Sequence, residues 1–105
     1  MFVQVFTGWR YKTGARERIA AMGFGDAPSA TVRPDVPGLL ARLLATASGD
    51  PDTGIGVWVW QDEAACRAYE ANRPPETRAA IERDIDESAM TEQTFEALFF
   101  GTRAG

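Results

Sequence analysis

Apolar and polar side chains alternate at the start of the chain. Residues 2–9, FVQVFTGW, are rich in β-branched and aromatic types and predict a strand. From Thr13 to Met22, Ile19 and Met22 stand at helical spacing among good helix formers, which predicts a short helix. Residues 23–37, GFGDAPSATVRPDVP, are broken by Gly and Pro and read as a long loop, either a lid or binding loop or a segment that itself contains a helix. Leu39, Leu40, Leu43 and Leu44 have helical spacing. A turn signal, Gly49-Asp50-Pro51-Asp52-Thr53-Gly54, follows at once, and then an alternating strand, Ile55 to Trp60. A hairpin explains that order best, so 38–46 is read as a strand, with a helix as the alternative.

Asp62 is placed to cap a helix, and Ala65, Ala68, Tyr69 and Asn72 follow the spacing of its buried face. Glu63 and Arg67 pair on the outside. Pro74-Pro75 ends this helix and starts another, in which Thr77, Ile81 and Ile85 form the stripe. Arg78-Glu82 and Arg83-Glu87 are its expected outer pairs. Thr91 to Thr102 closes the chain as a strand. The order β-α-β-β-α-β predicts an α+β fold, a ferredoxin-like βαββαβ sandwich. It has a four-stranded antiparallel sheet with the helices on one face, in one domain spanning 1–105.

Side chains alternate across a strand. Ile55, Val57 and Val59 therefore share one face of their strand, and Gly56, Trp58 and Trp60 the other. Val3 and Val5 likewise oppose Phe2 and Phe6. Both faces of the sheet are apolar, and helices cover only one. The expectation is that Phe2, Phe6, Trp58, Trp60 and Phe100 lie on the helix-free side. Each would forgo about 1.5–3 kcal/mol of burial if left in water. A second copy of the chain covering that side, a homodimer, resolves the conflict.

Composition narrows the chemistry. The 105 residues carry 15 acids against 11 bases, a net charge of -4, with no basic patch, so no nucleic-acid partner is expected. No apolar run is long enough for a membrane helix, and Met1-Phe2-Val3-Gln4 has no basic n-region, so a cytoplasmic location is expected. One cysteine, Cys66, forms no internal disulfide. There is no histidine, which excludes Ser-His-Asp and Cys-His catalysis and histidine-bound haem. No metal site is expected. Asp50-Pro51-Asp52-Thr53-Gly54 echoes a calcium loop but lacks the remaining ligands, so it reads as a turn.

The run Val57-Trp58-Val59-Trp60-Gln61-Asp62-Glu63-Ala64-Ala65-Cys66-Arg67-Ala68-Tyr69 resembles the strand-Trp-turn-helix signature of the dimeric α+β-barrel superfamily, in its antibiotic biosynthesis monooxygenase-like branch. Trp60 matches the signature Trp and Tyr69 its terminal Tyr, while Cys66 stands where an aromatic is usual. Pro37-Gly38-Leu39-Leu40 matches the start of that family's second strand. The resemblance implies a homodimeric barrel with a ligand cleft between each sheet and its helices or loop. It also implies, as in some members, oxygenation of polycyclic phenols or quinols without cofactor. Haem-degrading relatives bind haem through a histidine that this chain lacks.

Within that frame Trp60 is a candidate to donate its indole N–H to a ligand oxygen or to stack on a polycycle, and Trp58 shares its face. Arg10 is a candidate to balance a phenolate, and Tyr11 to relay a proton. Trp9 lies beside them. Tyr69 and Asn72 lie on the inner helix face, and Met22 and Phe24 edge the loop as lid residues. Packing, surface position and, for Asn72, helix termination are the plain alternatives. Gln4 and Arg42 are polar residues mid-strand that need partners or a wet cleft. The reading is a cofactor-independent monooxygenase, or related cyclase, acting on a small aromatic polyketide- or quinol-like molecule. The alternative is a non-catalytic small-molecule-binding or stress-response module of the same fold.

Overall fold

The computed structural model describes residues 1–23 and 36–101, with the side chain of Met22 excluded. The elements in chain order are β1 (Phe2–Tyr11), α1 (Ala15–Gly23), β2 (Leu39–Ala47), β3 (Asp50–Trp60), α2 (Glu63–Ala71), α3 (Pro75–Asp84), β4 (Ile85–Asp86) and β5 (Thr91–Glu96). The leucine-rich segment is a strand. Its hairpin turns at Ser48-Gly49, with Ala47 opposite Asp50, earlier than the expected 49–54. Residues 50–54 continue the ladder because Gly54 and Thr53 pair with Trp9 and Arg10 of β1.

The sheet is antiparallel and runs β2-β3-β1. The other edge of β1 is shared. Phe2 to Thr7 pair with β5, and Arg10 and Tyr11 pair with the short β4. Two pieces thus fill the fourth lane of a ferredoxin-like sheet. The last strand ends at Glu96 rather than reaching Thr102, and Leu98 and Phe99 beyond it are exposed.

Register shows which face the helices take. Phe2 lies opposite Trp60, Gln4 opposite Trp58 and Phe6 opposite Gly56, so these share a face. Cys66, Ala65 and Tyr69 of α2 pack on Phe2, Trp58 and Trp60 of that face, with Leu39 and Val36 beside them. The expected assignment is therefore reversed: the aromatic side of the sheet lies under the helix. The reason is volume. The inward positions of α2 include Ala65 and Cys66, which are small, so the rings that fill the gap come from the strands. The opposite face holds Val3, Val5, Ile55, Val57, Leu43 and Phe95, with Arg10, opposite Thr53 beyond the bulge, at its end. Leu43 is 50% and Phe95 48% exposed there.

A bulge in β1 changes one residue's side. Gly8 sits at φ 80 and the register shifts between Thr7 and Trp9. Strict alternation would place Trp9 with Val3 and Val5. The extra residue turns its indole onto the helix-side face, where it lies against the bare backbone of Gly54 and Gly56.

Candidate functional site

Three aromatic rings meet between β3 and α2. Trp58 and Trp60, two residues apart on one strand, stack with centroids 5.9 Å apart and planes 9° from parallel. Tyr69 closes the group at 5.6 Å from Trp60 and 6.0 Å from Trp58. Asp62 caps α2 by accepting from the Ala65 N–H at 2.8 Å, which fixes the turn of helix that presents Tyr69. Arg42, opposite Trp58 on β2, holds its guanidinium carbon 5.1 Å from that ring. Arg73 does the same over Tyr69 at 5.4 Å.

The rings differ in what they offer. Trp60 is 1% exposed, and its N–H donates to Gln4 Oε1 at 2.9 Å. The donor expected to serve a ligand is thus spent on Gln4, and Trp60 is the buried support of the group. Trp58 and Tyr69 are half-buried. The Tyr69 hydroxyl makes no hydrogen bond among the described residues. An open groove of about 680 Å³ runs past Tyr69, lined also by Val36, Gly38, Ala65, Ala68, Asn72 and Pro74.

Gln4, 3% exposed, joins the rings to a pair of acids. An indole nitrogen only donates, so Oε1 must face Trp60 and the amide Nε2 must face away. Nε2 donates to Glu92 at 3.2 Å and to Glu70 at 3.5 Å. Arg67 donates to Glu70 at 2.7 Å. Cys66 is buried beside them, and burial, aided by the Glu70 charge, pushes its thiol up to about 11. It is a packing residue with a protonated thiol at neutral pH.

The other expected site residues lie elsewhere. Arg10 is exposed and donates to Asp50 and Thr53, both at 3.0 Å. It faces Thr53 in the register, whereas Phe2 faces Trp60, so eight residues of strand, roughly 26 Å, separate Arg10 from the ring group. It balances hairpin carboxylates, not a phenolate near Trp60. Trp9 is 2% exposed and donates to the Phe6 carbonyl, so it is core and offers no free face. Tyr11 packs edge-on to Trp9 at 4.7 Å and donates to the Ala45 carbonyl at 3.0 Å, and burial raises its pKa, so its hydroxyl is committed inside the fold and away from the ring group. Asn72 is the C-cap of α2, with its side chain donating to the Ala68 carbonyl at 2.7 Å, and it also borders the groove. The Met22 side chain and Phe24 lie outside the described residues. Gln4 and Arg42 did stand out in the sequence as polar residues mid-strand. Arg73 carried no such signal.

No family model matches the sequence, and no curated protein matches it either. Solved structures do. A Chloroflexus aurantiacus protein assigned by name to the antibiotic biosynthesis monooxygenases shares 18% identity at TM-score 0.64, over 97% of this chain and 98% of that one. SnoaB, a cofactor-independent oxygenase from Streptomyces nogalater, shares 16% identity at TM-score 0.58, over 94% and 95%. The chain has the antibiotic biosynthesis monooxygenase fold. A mutant of MhuD with two manganese protoporphyrin IX bound per active site has it too, at 20% identity and TM-score 0.59, over 98% and 100%. Neither of the two side chains that most often bind haem iron is on offer here. The chain has no histidine, and its one thiol is buried and protonated. Among the described residues no group of acids and thiols is arranged to hold a metal ion, and no helix is long and apolar enough to cross a membrane.

Proposed function

We propose that the protein is a cofactor-independent monooxygenase for a flat aromatic small molecule of quinol or polyketide type, working as a homodimer. The observation that carries the reading is the half-buried pair Trp58 and Tyr69, backed by Trp60, with a groove running past Tyr69. The fold is shared with a cofactor-independent oxygenase, which supports it.

In this chemistry the substrate supplies the electrons. An anthrone methylene loses a proton to give a delocalised carbanion, which reacts with dioxygen. Overall CH2 plus O2 becomes C=O plus water, so no external reductant is consumed. Trp58 stacks on the ring system and excludes water from one face. Tyr69, with its hydroxyl unengaged among the described residues, donates a hydrogen bond to the anthrone oxygen on which the carbanion's charge builds, and the methylene proton passes to solvent. Arg42 and Arg73 stabilise the charge spread over the carbanion.

The aliphatic patch of Val3, Val5, Ile55, Val57, Leu43 and Phe95 supports the dimer, because an exposed apolar surface of this kind marks a partner. Its two-fold match is the same face of a second copy. The same reading places the reaction in the cytoplasm, where a lone thiol stays reduced.

The test is metal-stripped protein mixed with anthrone in air, with anthraquinone formation followed by absorbance. A rate above buffer that falls at least tenfold in Tyr69→Phe or Trp58→Ala, with folding intact, supports the enzyme. No rate with several anthrones and hydroquinones overturns it in favour of a binding module. One observation favours that second reading: the Trp60 N–H and the Tyr11 hydroxyl are both consumed by internal partners.

A further inference from the structure

Arg73 is set apart from six other arginines among the described residues. Arg10, Arg16, Arg18, Arg67, Arg78 and Arg83 each have a carboxylate within 4.0 Å. Arg73 has none among the described residues. Its Nε–H is buried without a hydrogen-bond partner. Buried donors in folded proteins are almost always met, and an orphaned one on a cation is a standing demand for an acceptor.

Glu70, one helical turn back, does not answer that demand. Its two oxygens are engaged by Arg67 and Gln4. The backbone around Arg73 is held in place. Asn72 caps α2 through bonds to the Ala68 and Tyr69 carbonyls, and Pro74-Pro75 follows, so the residue cannot swing away with a continuing helix. The guanidinium is left 5.4 Å from the Tyr69 ring, which stands 6.0 Å from Trp58. A donor-rich cation thus lies over the Tyr69 ring, between Asn72 and Pro74, which both border the groove.

We propose that Arg73 reads a negative charge on the ligand, and that the ligand is a flat aromatic ring system of quinol or polyketide type which also carries an acidic group, a carboxylate or an acidic phenol. The inference rests on the aromatic-cleft reading above. A planar guanidinium matches a carboxylate through paired N–H donors, and an ionised oxygen would supply the acceptor the Nε–H lacks. Stacking on Trp58 and Tyr69 would place a ring substituent within the arginine's reach.

The experiment compares 2-naphthoate with 2-naphthamide, equal in shape and differing in charge, by titration calorimetry at neutral pH. The intact protein is expected to prefer the acid by about tenfold or more. In Arg73→Gln that preference is expected to fall to within about twofold, with amide affinity unchanged, and Arg73→Lys to keep part of it. Arg78→Gln, a charge loss on α3 away from the cleft, is expected to keep the full preference. The proposal is overturned if the intact protein binds both probes alike, if Arg73→Gln keeps the preference, or if Arg73→Gln loses the amide as well. In each of those cases the cleft stands. If neither probe binds, the cleft reading falls and this inference with it.

Discussion

Trp60 and Gln4 are joined by a single buried hydrogen bond, indole N–H to amide oxygen at 2.9 Å, across neighbouring strands. The bond couples the aromatic group to the acids Glu70 and Glu92, because satisfying the indole leaves the amide only its donors to offer them. Gln4→Leu would strand the Trp60 N–H in the core at a cost of about 1–3 kcal/mol. Trp60→Phe would open a cavity and leave Gln4 without its donor. The two losses share one interaction, so the double variant is expected to be more stable than the sum of the singles predicts. Urea unfolding of the four proteins measures this, and additivity would show that the bond carries no coupling.

The bulge at Gly8 makes a second prediction. Trp9 reaches the helix side only because Gly54 opposite has no side chain, and a Cβ there would overlap its ring. Gly54→Ala is expected to destabilise by about 2 kcal/mol or more through overpacking. Gly49→Ala, at the hairpin where a Cβ meets nothing, is expected to stay within about 0.5 kcal/mol. Similar thermal midpoints for the two variants would contradict the placement of Trp9.

Those two sites show how far the sequence carries. The alternation of Ile55 to Trp60 separates the two faces of β3 correctly, since strand period is a local property. It does not say which face meets the helix. That depends on the small residues of α2 and on packing between distant segments, neither of which a strand's own period encodes. The bulge hides behind one ordinary-looking glycine. The short β4 leaves no pattern in two residues. The expected Arg83-Glu87 pair is replaced by Arg83-Asp84, and Glu87 turns to Arg78, because the chain leaves the helix at Ile85. In the site, Trp58, Trp60 and Tyr69 converge because one turn joins their elements. Arg10, Trp9 and Tyr11 sit at the far end of β1, a separation that only the register reveals.

Asp84 gives a pH prediction. It is buried at the end of α3, where hydrogen bonds from Arg83 and then Arg18 hold its carboxyl down to about 2, against the opposing push of burial. A pKa depressed in the folded state adds stability above the unfolded value of 3.8, and that stability is lost as pH falls towards about 2. Asp84→Asn removes the titrating group. The stability gap between the two proteins is expected to be constant above about pH 5 and to narrow between pH 4 and 2. A gap that does not change over that range, measured by denaturant midpoints, would contradict the pairing.

Cys66 is predicted to be inert. The thiolate is the reactive form, and a thiol raised to about 11 and fully buried forms little of it at neutral pH. Labelling by a disulfide reagent at pH 8 is expected to proceed at the rate of unfolding in the native protein and to be fast in urea. Rapid native labelling would mean that α2 lifts from the sheet far more often than its packing implies.

The open face of the sheet carries the last prediction. Val57 lies at its centre, opposite Val5 on one side and Leu43 on the other, with no charge in its row. If two copies meet there, Val57→Lys buries an unpaired ammonium in the interface, at a cost that exceeds the net free energy of many small dimers. Sedimentation is expected to show a dimer for the natural sequence and a folded monomer for Val57→Lys. Val57→Ala, which trims the surface without charging it, is expected to weaken association while leaving the dimer detectable at high concentration. A monomer for the natural sequence at all concentrations would leave Leu43 and Phe95 in water and require another cover for that side.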